Sequence, residues 1–493
     1  MKPALNCVGV AILLLLAITL GGCSRGKPLP TPLDQSPVSG QLRHFIAEKE
    51  KQAAAAAKAN GQELLPETKI LFAAANKGDW QTISNVFNDL CRDATQFSGG
   101  RPKYPRLHGT EWENVKEIWG AFNYLASDLA MDNYSVKLGQ DIVGSIPPGS
   151  IYFGGGDPGR WTVTALQASH VNGDPFFTLS QNCLTDGTYL DYARSMYGTK
   201  IYIPTTNDSQ RCFSDYMEDA RQRLLHDRNF PNLPKQVKPG EDVSLDPTGH
   251  VQVTSHLSVM AINGMLSKII FDHETNREFY VVESVPLDWM YPHLEPHGLI
   301  MKINRDPLAE LPEEIIRKDH EFWAARVAPV IGDWLEDDTS VQEICAFAQK
   351  VYVKHDFTGF KGDPRFVSDD WAQWMSQLRG SIAGIYMWRL GISGSGGMVP
   401  PEYLAKTDAD RHRMIREADF AYRQAFVLNP GSFVAEIRYV NFLVNQKRTA
   451  DAIAVAEVGI ACHKNQGNDN PSSNLLNTLK NIRNQETNGL PAR

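Results

Sequence analysis

Apolar residues recur at three- and four-residue spacing over most of this chain, which predicts helices, and one central stretch breaks that rhythm. The region 64–138 reads as helical. Ile70, Leu71, Ala74 and Ala75 share a face, and Lys77-Gly78-Asp79 stops that helix. Asp79 then caps a second one through Trp80, Ile83, Val86, Phe87 and Leu90. A further helix from about 111 to 130 places Trp112, Val115, Ile118, Trp119, Phe122 and Leu125 on one stripe.

The rhythm changes after Ile146-Pro147-Pro148-Gly149, and an α/β domain is expected over 139–310. Short β-prone runs at Ser150-Ile151-Tyr152-Phe153, Phe176 to Ser180 and Ile201 to Pro204 alternate with helical patterns from Trp161 to Ser169, Asp186 to Tyr197 and Asp208 to Leu225. That alternation predicts a Rossmann-like parallel sheet with right-handed crossovers. Glu278 to Glu283 and Gly298 to Ile303 extend it, with Trp289 to Leu294 read as an aromatic crossover between them. His256 to Phe271 reads as an apolar covering helix, and the proline-rich stretch Pro231 to Gly249 as a loop.

Helical periodicity returns in a connector at 311–375 and continues through 376–485, before a short tail at 486–493. Ala418, Ala421 and Ala425 lie on one helix that runs to an Asn429-Pro430 stop, and helices follow at Phe433 to Asn445 and Ala450 to Gly459. Small residues let paired helices approach, and the stop resets the chain for the next hairpin. The pattern resembles tetratricopeptide repeats. Arg379 to Leu390 fits the first helix of an earlier repeat, with a glycine-rich insertion at Gly391 to Met398 that departs from the repeat period.

The amino terminus carries an address. Lys2 precedes an uncharged run from Val8 to Leu20, which at about 1.5 Å per residue spans roughly 20 Å, short of the ~30 Å hydrocarbon core. It reads as a processed signal over 1–22. Leu20-Gly21-Gly22-Cys23 resembles the bacterial lipobox, and the resemblance implies cleavage before Cys23 and acylation of that residue with fatty acid such as palmitate. Residues 23–63 are then expected to form a tether. Pro28, Pro30, Pro32 and Pro37 make it semi-rigid, and the alanine-rich segment Gln41 to Asn60 reads as a solvated helix. Membrane attachment through Cys23 places the globular mass in the extracytoplasmic space of the cell envelope. Ser24 and Arg25 lack the aspartate type of inner-membrane retention signal, which favours the outer membrane.

Composition narrows the function class. A net charge of −8 argues against a nucleic-acid surface, which needs a basic footprint. Beyond Cys7 and Cys23, the cysteines Cys91, Cys183, Cys212, Cys345 and Cys462 are odd in number and widely spaced, so they define no disulfide framework or metal site. His293 and His297 are four apart, yet Pro292 and Pro296 keep them off one helix face. No metal and no cofactor is expected, because Gly154 to Arg160 is neither a Walker loop nor a dinucleotide fingerprint.

In open α/β sheets ligands bind beyond the carboxyl ends of the strands. Two loops there are polar. Gly155, Gly156, Asp157 and Arg160 follow one strand, and Asn182 and Asp186 follow another. The glycines allow close backbone approach, and Arg160 offers a fork of donors to an anion. Asp157, Asn182 and Asp186 suit hydroxyls, a sugar or a cation. A structural role competes with this: Asp157 and Asp186 as helix caps that pair with Arg160.

Gly149 to Arg160, Leu179 to Asn182 with Asp186 to Tyr189, and Trp289 to Pro292 through Pro296 to Met301 together resemble a group of uncharacterised bacterial proteins. In those, the corresponding region is the soluble extracytoplasmic part of multispanning membrane proteins related to lipid-linked-sugar glycosyltransferases, often followed by tetratricopeptide repeats. The resemblance covers roughly 78–460 and carries no assigned catalytic residues. The membrane-embedded half, where a transferase site would lie, has no counterpart here. The sequence therefore points to a lipid-anchored binding or scaffold protein with an α/β ligand cleft and a helical-repeat surface for a protein partner. The alternative is an envelope enzyme or accessory factor acting on glycans or lipid-linked sugars, with Asp157 and Asp186 as paired carboxylates.

Overall fold

A computed structural model of the chain describes residues 38–94, 109–125, 134–155, 159–238, 241–246, 249, 251–253, 256–282, 287–368, 370–393, 398–463 and 471–487. The signal, Cys23 and the tether as far as Pro37, together with Gly156 and Asp157, lie outside them. The chain divides after Val282 into two compact units.

In the first unit, α1 (Gly40–Ala59) is the first departure from expectation. It is no solvated spacer: Leu42, Phe45, Ile46, Ala53 and Ala57 are buried, and with them Lys49. The helix packs on α4 (Gly109–Leu125). Its buried stripe escapes a hydropathy reading because alanines and one lysine fill positions where larger apolar residues are usual. The hairpin of α2 (Pro66–Lys77) and α3 (Trp80–Ala94) forms as predicted. Gly78 takes a left-handed φ of 73° at the stop, and Asp79 accepts from the Thr82 N–H at 3.0 Å. After α5 (Tyr134–Ser145) come β1 (Ile151–Gly154), the short α6 (Trp161–Leu166), β2 (Phe177–Ser180), α7 (Gly187–Tyr197) and α8 (Thr206–Asn229). A small hairpin follows, with β3 (Val243–Leu245) inside the expected loop and β4 (Val251–Val253) just past it, and then α9 (His256–His273) and β5 (Phe279–Val282).

Strand β1 lies between β2 and β5 and is parallel to both, with Tyr152 opposite Thr178 on one side and Tyr280 on the other. All three strands are buried throughout, as a covered parallel sheet requires. The strand expected at Ile201 to Pro204 does not form. Its Tyr202 N–H donates to Glu274 instead, at 2.6 Å, and the Tyr202 ring stacks on His273. Pro204 has no donor to offer a ladder.

Gly120 on α4 faces Trp161 so closely that an added methyl would land inside the indole. Gly120→Ala should therefore lower stability by about 1–3 kcal/mol, read as a shift of this unit's denaturation midpoint. Gly144→Ala, on α5 with nothing within 4 Å, is the control that should not destabilise.

The second unit begins with an antiparallel hairpin of β6 (Leu294–His297) and β7 (Ile300–Ile303), turned at Gly298 with φ 62°. Strand β6 was not expected, because Pro292 and Pro296 demote a strand reading. Then come α10 (Glu313–Ile331), α11 (Val341–Ala348), α12 (Asp370–Arg389), α13 (Asp408–Leu428), α14 (Phe433–Asn445), α15 (Thr449–His463) and α16 (Pro471–Thr487). From α12 onward each helix packs on the next. The Ser376 hydroxyl donates to the Ala425 carbonyl at 2.6 Å, an approach that the small residues of α13 permit. The stop at Asn429 holds, with Ser432 capping α14. The chain is thus a mixed α/β unit with a small parallel sheet, followed by a largely helical unit.

Candidate functional site

The strand ends of β1 and β2 lead to a buried ionic cluster within the first unit. Helix α4 brings Glu113 and Glu117 one turn apart on its inner face. Helix α1 brings Lys49, the loop after β1 brings Arg160, and the turn after α6 brings His170. Tyr189, Tyr192 and Tyr197 close it from α7. The Tyr152 hydroxyl, donating to the Gly159 carbonyl at 2.9 Å, ties the loop that presents Arg160.

Arg160 points inward. Its guanidinium donates through Nη2 to Glu117 Oε1 at 2.8 Å and lies 3.5 Å from Glu113. It also covers the rings of Trp161 and Tyr189, at 4.3 and 5.3 Å from their centroids. Thr164 donates to the other Glu117 oxygen at 2.9 Å. Lys49 donates to Tyr192 at 2.6 Å and to His170 Nδ1 at 2.7 Å. Because an ammonium has no acceptor to offer, that contact fixes Nδ1 as the unprotonated nitrogen.

The electrostatics follow from burial and pairing. Burial alone would raise the Glu117 carboxyl, but Arg160 and then Lys49 hold it at about 2. Burial lowers the Lys49 ammonium to about 8 against the pull of Glu117. His170 is pushed well below its usual value by burial and by the Lys49 charge, so it is neutral.

Of the residues singled out in the sequence, the structure brings Arg160 into this cluster and places Gly155, also buried, just ahead of it. Asp186 is exposed and caps α7, accepting from the Thr188 N–H at 2.8 Å and its hydroxyl at 2.7 Å. Asn182 presents its carbonyl to the Asn263 amide at 3.0 Å. Cys183, half-buried, lies 3.8 Å from Arg160 Nη1 and 3.4 Å from the Ser180 hydroxyl. Lys49, Glu113, Glu117 and His170 were missed. The available signal was Glu113 and Glu117, two carboxylates four apart on a helix rich in apolar residues.

No family model, no curated protein and no solved structure matches the chain. No helix among the described residues is long and apolar enough to cross a membrane.

Proposed function

We propose that this chain is a scaffold or binding protein of the cell envelope, held on a membrane by acyl chains on Cys23, whose C-terminal helices receive a protein partner. The observation that supports it is the run α12 to α16, in which successive helices pack on one another, as a tetratricopeptide-like array would need. Such stacks offer an extended side-chain surface without needing a deep pocket. In the first unit, ligand contact is proposed at the strand-end loops near Gly155, Asp157 and Asn182. Backbone groups would make that contact, since the guanidinium of Arg160 is engaged by Glu117.

A photo-cross-linking residue at exposed Asn445, at the end of α14, should capture one dominant protein in intact envelopes. The same residue at exposed Gln222 on α8 should not. Equal capture at both positions, or none at Asn445, removes the helical stack as the binding surface. The intact mass of the mature protein reports acylation of Cys23 separately.

A further inference from the structure

We infer that the segment Arg228–Lys238, at the carboxyl end of α8, is a second membrane contact that inserts Phe230 and Leu233 into the headgroup region of an anionic lipid surface. Every residue from Arg228 to Gln236 is exposed. Among them Phe230 keeps 52% and Leu233 51% of its surface in water, a standing cost for large apolar side chains. The two belong to one turn, since the Leu233 N–H donates to the Phe230 carbonyl at 3.1 Å. Pro231 lies between them and Pro234 follows. Prolines restrict the unbound turn, so little conformational entropy is lost when it is immobilised.

Charge selects a lipid surface as the occupant. The segment carries Arg228, Lys235 and Lys238 and no acidic residue, on a chain whose net charge is −8. The carboxylates that flank it in sequence, Asp227 and Glu241, are turned to hydrogen-bond partners within the protein. Asp227 accepts from the Gln236 and Val237 N–H groups at 2.7 and 3.2 Å. Glu241 is held by Arg223 and by the Tyr216 hydroxyl. A small apolar tip flanked in sequence by Arg228 and Lys235 is what an anionic headgroup layer accepts. The rest of the acidic chain is repelled by the same layer, so this turn sets the orientation of the first unit on the membrane.

The inference does not depend on acylation, and its test removes the acyl chains. The full chain carrying Cys23→Ser is floated with vesicles of phosphatidylcholine alone or of equal parts phosphatidylcholine and phosphatidylglycerol. The apolar run Val8 to Leu20 is the same in every arm. Binding should be stronger on the anionic vesicles by on the order of tenfold or more, and should weaken as salt is raised. Adding Phe230→Glu and Leu233→Glu should abolish that preference. Adding Phe230→Ser and Leu233→Ser should reduce it while leaving the cations in place. Both pairs change exposed positions, and an unchanged circular-dichroism melt verifies folding. Equal binding of parent and variants to anionic vesicles would overturn the inference, as would equal binding of the parent to both vesicle types. The latter result would point to a protein as what covers the turn.

Discussion

Glu117→Ala is expected to destabilise the first unit by about 3–5 kcal/mol, the usual cost of leaving a buried charge without its partner. The carboxylate is 1% exposed and faces Arg160 at 2.8 Å, with Lys49 near enough to lower its pKa further. Without it, only Glu113, 3.5 Å from Arg160 and already paired with Lys116, is left to offset the repulsion of two buried cations in a medium that screens them poorly. Lys49→Met should cost far less, because it removes the ammonium that is hardest to keep charged. Combined with Glu117→Ala, it should recover part of the loss, and a double-mutant cycle measures that coupling. The pH dependence carries the same signature. Glu117 is depressed from 4.5 to about 2, so its contribution is complete above pH 4.5 and is lost as pH falls from there toward 2. Lys49 is depressed from 10.5 to about 8, so its burial penalty is full below pH 8 and is relieved as pH rises toward 10.5. Each shift corresponds to about 3 kcal/mol. Denaturation midpoints of this unit measured across both windows should rise with pH in each. Lys49→Met should flatten the alkaline rise and only partly reduce the acid one, since Arg160 is the larger influence on Glu117.

The helices with large apolar side chains were legible from spacing alone: α2 and α3, α9, and α13 with its Asn429-Pro430 stop. So were β1, β2, β5 and β7, whose short runs of large apolar residues suit buried strands. What the spacing could not show was set by partners distant in sequence. Helix α1 looks solvated because beyond Leu42, Phe45 and Ile46 its stripe is Lys49 and alanine, and it becomes a core helix only once α4 and His170 are there to receive it. Ile201 to Pro204 has strand composition, but its backbone donor at Tyr202 is captured by Glu274, a residue 72 positions away. The cluster was half visible. Arg160 stood out as a donor, yet nothing local indicates whether a guanidinium faces solvent or folds back. That direction is decided by Glu113 and Glu117, more than forty positions earlier. Asp186 was legible in both of its roles, and the cap is the one the geometry displays.

The second large effect is expected in the helical unit, at Asp319. Its side chain on α10 accepts from Arg379 Nη1 of α12 at 2.8 Å and from the Tyr386 hydroxyl at 2.7 Å. Arg379 also donates from Nε to Gln424 of α13 at 2.6 Å and lies over the Trp323 ring, and it is fully buried. One ion pair therefore fixes the mutual register of three helices, which packing of apolar rows alone specifies loosely. Asp319→Ala should cost this unit about 3–5 kcal/mol, since a fully desolvated guanidinium is left facing a void. Asp319→Leu with Arg379→Met should restore most of that, because two apolar side chains of similar bulk carry no desolvation penalty. The two variants separate stability from specificity. If the pair serves only stability, the double replacement should recover both the denaturation midpoint and the cross-link captured at Asn445. If it also sets helix register, the midpoint should return while the capture stays reduced. A double replacement as unstable as Asp319→Ala would refute the electrostatic account and assign the loss to packing.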